Sequence, residues 1–164
     1  MIKKIFCLLL CFLIAFILDT ALLPRLLPYT IRPVIMLSLV LALSASFSLW
    51  TAGAAAALGG LAEDLLCSEA IGLSSAMFLI AAAILSALLH KNTYKKGILF
   101  LLMTGLALLS EGVGAFFFRL YGAGFDIMYT FFFNGLGRSF ATAAVALLFI
   151  SFFAELKKGR IERE

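Results

Sequence analysis

Residues 34–66 are predominantly apolar and carry no charge but Glu63 and Asp64, a run too long for one bilayer-spanning helix and unsuited to the surface of a water-soluble domain. Further apolar runs of about 20 residues follow, separated by short charged or glycine- and proline-rich breaks. Hydrophobic residues make up 64% of the 164 and charged residues 13%. That leaves too little polar surface to cover a soluble core. A backbone in lipid must satisfy its own hydrogen bonds, so the spans are expected to be helices. The alternating segments of roughly ten residues that mark a β-barrel are absent from the sequence.

The expected architecture is an all-α membrane protein of one domain, residues 1–164, with six transmembrane helices in one compact bundle. The breaks place the spans at 5–23, 33–47, 51–66, 73–89, 98–118 and 127–153, followed by a charged tail at 155–164. Lys3 and Lys4 ahead of an apolar run resemble a secretory signal, but no small-x-small cleavage site follows, and an uncleaved first helix is expected. Pro24, Pro28 and Pro33 prevent that helix from continuing. The weak point in 34–66 is the stretch from Ser44 to Thr51, where Trp50 suits a membrane interface and a tight hairpin is expected at 47–51. With the N-terminus inside, Lys3, Lys4, Lys91, Lys95, Lys96, Lys157, Lys158, Arg160 and Arg163 are cytoplasmic, against Arg25, Arg32 and Arg119 outside. The positive-inside rule therefore favours both termini inside, and a net charge of +4 reflects topology rather than nucleic-acid binding.

The stretch from Gly53 to Leu73 is the expected centre of packing. Ala52, Ala56 and Gly60 share one helical face, with Gly53 and Ala57 beside them, so a neighbouring backbone can come close. Gly72 opens the next apolar segment. Glu63 and Asp64 are adjacent, point about 100° apart and cannot serve one neighbour as a paired acid and base. One of them is expected to cap or contact a partner segment while the other reaches headgroups. Asp19, one turn from the end of the first span, is read as reaching the interface. Glu111 and Arg138 fall at similar depths on antiparallel neighbours and are expected to form an intramembrane pair that fixes the last two helices against each other.

Catalytic groups are scarce. His90 is the one histidine and sits beside a lysine-rich loop, and no serine-hydrolase elbow, zinc-protease helix or phosphate-binding loop is present. Cys7, Cys11 and Cys67 read as small apolar packers rather than a disulfide framework or a zinc site. No catalytic, cofactor-binding or metal-binding residue is therefore assigned, and an enzyme acting on lipid would lack both nucleophile and metal ligands. The triplets 116–118 and 131–133, all phenylalanine, are read as a lipid-facing girdle.

The order of these features resembles the bacterial rod shape-determining MreD family. The first apolar helix ends near Leu23-Pro24 and Leu27-Pro28, and Pro33 opens the second span in Arg32-Pro33-Val34-Ile35-Met36. The small-residue helix ends in Gly60-Leu61-Ala62-Glu63-Asp64-Leu65-Leu66 and is followed by Gly72-Leu73. The chain departs at Val34, where family members often carry an acidic residue or Asn. The resemblance implies a non-enzymatic scaffold in the multi-pass bacterial cytoplasmic membrane. It would bind a single-span, coiled-coil MreC-like partner and connect, through it, to MreB filaments and cell-wall synthases. It also implies an architecture similar to the substrate-binding subunits of energy-coupling-factor vitamin transporters. That likeness supplies the alternative reading, in which Glu63, Asp64, Glu111 and Arg138 line a ligand pocket. Under the scaffold reading, Gly60 is expected to set the close packing and Asp64 to serve the partner contact.

Overall fold

The computed structural model describes residues 2–28, 30–67, 72–91, 95–120 and 134–161. They form six helices, and no strand occurs among them. Helix α1 (Ile2–Ile17) runs on through a π-helical turn (Leu18–Leu22) and a final α-helical turn (Leu23–Leu26). Leu27, before Pro28, is extended, the conformation favoured there, and the chain crosses to α2 (Ile35–Ser46). Then come α3 (Leu49–Cys67), α4 (Leu73–Lys91), α5 (Lys96–Leu120) and α6 (Leu136–Ile161). Helix α3 begins two residues before the expected position: the Ser48 carbonyl already accepts a helical bond from Ala52 N, and Ser48 Oγ lies 2.9 Å from the Thr51 hydroxyl. The expected start of the last span at 127 and the triplet 131–133 lie outside the described residues.

Helix α2 is the centre. Every residue from Val34 to Ser44 is buried, so this helix has no face to offer to solvent or lipid. It packs against α1, α3, α4 and α6, while α3, α4, α5 and α6 follow one another as packed neighbours. At 12 residues α2 is about 18 Å long, well short of a bilayer's hydrocarbon thickness of about 30 Å. Its N-terminal end therefore lies inside the protein. By contrast, Lys96–Phe117 of α5 and Leu136–Ala154 of α6 are long and apolar enough to cross a membrane by length and composition. The outer surface carries large apolar side chains, among them Leu13 and Ile17 on α1, Leu58 and Leu65 on α3, Leu101 and Leu109 on α5, and Leu148 on α6. Trp50, at the α2–α3 turn, is almost wholly exposed.

Small residues set the spacing of α3. A Cβ on Gly60 would run into the backbone of Ser75 in α4, 2.6 Å from its nitrogen. Gly59 faces the other way, where a Cβ would meet the Phe12 ring at 3.0 Å. Gly53, expected to share the close approach, has nothing within 4 Å of its Cβ direction. Gly72 likewise meets no neighbour, but its φ of 98° demands glycine at the turn into α4. These positions separate by substitution. Gly60→Ala should destabilise the protein by about 1–3 kcal/mol through overpacking, whereas Gly53→Ala should be neutral or stabilising by up to about 1 kcal/mol. Unfolding of both variants in mild detergent measures the difference, and equal stabilities would rule out the tight α3–α4 contact.

Candidate functional site

The described charged side chains of the bundle interior gather around two buried helix starts. The first is that of α4. Asp64 is fully buried and accepts three backbone N–H bonds, from Gly72 (2.9 Å) and Ser75 (3.1 Å) on Oδ2 and from Ser74 (3.0 Å) on Oδ1. The first turn of any helix leaves N–H groups without intrahelical partners, and away from water each is costly. Asp64 satisfies three of them and places its negative charge at the positive end of the helix. Asp64 thereby takes the capping role that the sequence left open for one of the two acids, with its carboxylate turned into the protein toward α4.

The second start is that of α2, where the N-cap position is Val34, a residue with no capping group. Distant residues supply what Val34 lacks. Asp19, from the π-helical turn, accepts from Met36 N through Oδ2 at 2.9 Å. Thr142 of α6 accepts from Val34 N at 3.0 Å, and Ser38 Oγ donates to the Thr142 carbonyl at 2.8 Å. Asp19 therefore does not reach the interface, as the sequence suggested; it is buried, because the start of α2 is buried and must be capped there. The wider π-helical turn also presents the Asp19 carbonyl to Arg32, whose Nη2 donates to it at 2.8 Å.

Glu111 and Arg138 are brought together next to this point. Arg138 Nη1 lies 3.2 Å from Glu111 Oε2, and Arg138 Nε donates to the Arg32 carbonyl at 3.2 Å. One guanidinium thereby ties α5, α6 and the segment leading into α2. That segment lies so close to α6 that a Cβ on Gly137 would collide with the Thr30 carbonyl oxygen. Glu63 faces the same region. It follows Gly59 by one helical turn, on the side of α3 that packs against Phe12 and Met36, and lies within electrostatic reach of Asp19, Arg138 and Glu111. Its Oε2 is shielded and accepts no hydrogen bond; the Ser139 hydroxyl, beside Arg138, is the other such buried atom among the described residues. Glu63 was expected to reach headgroups if Asp64 did not; its Oε2 is instead shielded, within electrostatic reach of this cluster.

The structure thus separates the two adjacent acids, Asp64 toward α4 and Glu63 toward Asp19, Glu111 and Arg138. Among the described residues no group of three or more His, Cys, Asp or Glu could hold a metal ion. The side chain of His90 lies outside the described residues. The residues that sequence reasoning missed are Asp19, Arg32 and Thr142. The signal for Asp19 was its cost within an apolar run, which requires a partner rather than an interface. Thr142 carried no comparable signal, since its contact with Val34 spans 108 positions.

Two substitutions test these roles. Asp64→Ala should lower stability by about 2 kcal/mol or more, and Asp64→Asn should not rescue it, because an amide NH2 cannot accept from the N–H that the lost oxygen served. Thermal unfolding in detergent checks this, and full stability of the Asn variant would contradict the three-bond cap. For the ion pair, a double-mutant cycle with Glu111→Gln and Arg138→Gln should give a coupling energy of about 0.5–3 kcal/mol. Strictly additive losses would show that the pair contributes nothing.

Comparison with protein-family models, with curated proteins and with solved structures finds no match to this chain.

Proposed function

We propose that the protein is a non-enzymatic membrane scaffold of the bacterial cell-elongation machinery, similar to MreD. In this reading it crosses the cytoplasmic membrane six times with both termini inside. It binds a single-span, coiled-coil MreC-like partner, and through it organises cell-wall synthases with MreB filaments. The observation that carries the reading is the use made of the most specific motif behind the resemblance. In Gly60-Leu61-Ala62-Glu63-Asp64-Leu65-Leu66 and the following Gly72-Leu73, Gly60 admits the Ser75 backbone, Asp64 caps α4 and Gly72 makes the left-handed turn. The motif is thus explained as architecture, without chemistry. The apolar exterior and the two long helices α5 and α6 support a membrane location, and the nine-to-three distribution of basic residues supports the orientation.

A second reading, the substrate-binding subunit of a vitamin-type transporter, is favoured by one observation: Asp19, Glu63 and the Glu111–Arg138 pair, from four helices, lie in the interior within electrostatic reach of one another. The two readings part on what co-purifies. Extraction of tagged protein from native membranes in gentle detergent, with mass spectrometry of the bound proteins, should recover a single-span coiled-coil protein and cell-wall synthases. Recovery of ATPase subunits in their place would replace the scaffold by the transporter.

A further inference from the structure

We propose that the exposed face of α5 is a binding surface for an anionic phospholipid. Its phosphate is held at Lys95 and Lys96, and an acyl chain lies on the apolar side chains that follow them. The inference rests on the membrane location in the reading above, and not on whether the protein is a scaffold or a transporter subunit.

The packing brings the basic segments to one end of the bundle. Helix α1 packs along α2 and ends where Asp19 meets the start of α2, so its own start lies toward the other end of α2. At that end the Phe47 ring meets Phe153 edge-on, with centroids 5.7 Å apart. Lys157 and Lys158 follow Phe153 by about one turn of α6. Glu111 meets Arg138 near the start of α6, so α5 begins at the far end, shortly after Lys91 closes α4. Residues 1–4, 91–96 and 155–164 together hold nine bases and three acids, a net charge of +6. The remaining residues hold four bases and six acids, a net charge of −2. The charge of the chain is therefore concentrated at one end, where it complements an anionic surface.

Within that end, α5 joins the charge to a shape. Lys95 and Lys96 are exposed, and among the described residues neither forms an ion pair. They stand at the positive end of the helix, whose first turn contains no acid. Orientation in the membrane would be served equally by bases at the end of α4, without this repulsion; an anion offsets it. Ile98, Leu101, Gly105 and Leu109 then continue the face of Lys95, each three or four residues on, and all are exposed. A Cβ on Gly105 would meet nothing within 4 Å, so the face is recessed between Leu101 and Leu109. A ligand that covers the lysines and this stripe together is anionic at one end and apolar along its length. An anionic phospholipid has that form and lies alongside a membrane-spanning helix. Inorganic phosphate fits the lysines alone, and a hydrophilic acidic peptide leaves the leucines uncovered.

The test uses the full-length protein in nanodiscs of equal parts phosphatidylglycerol and phosphatidylcholine with identical acyl chains. Lipid retained on release from the disc is counted by native mass spectrometry. Phosphatidylglycerol should be retained over phosphatidylcholine by about tenfold at low salt, and the preference should shrink as salt is raised. Replacing both lysines, Lys95→Gln with Lys96→Gln, should lower the preference by about fivefold or more. Arg25→Gln, on the exposed last turn after α1 at the opposite end, should leave it unchanged. Equal retention of the two lipids by the unsubstituted protein overturns the proposal whether or not the variants fold. So does a preference kept in full by the folded double variant, or one lost equally on Arg25→Gln. Inorganic phosphate is added as a competitor: failure to displace the lipid at millimolar concentration supports a lipid-borne anion, and displacement at micromolar concentration overturns that source.

Discussion

Capping of helix starts inside the protein is the constraint on which the remaining structure depends. A helix that begins in water leaves its first N–H groups to solvent; one that begins in a dry interior must find an acceptor for each or lose several kcal/mol. Helix α2 is short and buried along its length, and α4 begins against the Gly60 contact, so neither start can use water. Each is closed by an aspartate from a helix that precedes it. Asp19, in the π-helical turn after α1, caps α2; Asp64, in the last turn of α3, caps α4. The acids that look out of place in apolar runs are therefore what allow the next helix to begin where it does.

Helix α3 shows how one helix serves two neighbours. Gly59 and Glu63 are one turn apart and face α1 and α2; Gly60 and Asp64, one position further along, are likewise one turn apart and face α4. Each face combines a glycine that admits a neighbour with an acid that answers the polar groups the approach would bury. The rotation of about 100° between successive residues is what permits the double use. It is also the reason that the two adjacent acids cannot act as one pair.

Much of the helical architecture was legible because apolar runs and their breaks need no knowledge of tertiary contacts. Proline at 28 and 33, glycine at 72 and the break expected at 47–51 mark where helices stop, and the observed helix ends fall close to them, whereas Pro24 sits at the start of a helical turn, where its missing N–H costs nothing, and the first helix runs on to Leu26. The Glu111–Arg138 pair was readable for a related reason: equal depth on antiparallel neighbours follows from counting residues. What could not be read was which of several small residues makes contact. Gly53 and Gly60 look alike in sequence and differ in space, since helices that cross touch over a short length. Nor could the caps of α2 be read, because Val34 shows that a cap is needed without showing that Asp19 and Thr142 provide it.

The ionic cluster runs against stability alone. A buried ion pair must recover the desolvation of both partners, and well-packed apolar residues in its place are often as stable or more so. Arg138 softens that cost by dividing its donors between the Glu111 carboxylate and the Arg32 carbonyl, so that one side chain fixes three segments. Glu63 Oε2 has no such compensation: it is shielded and accepts no hydrogen bond, so this carboxylate is a cost to the fold rather than a support.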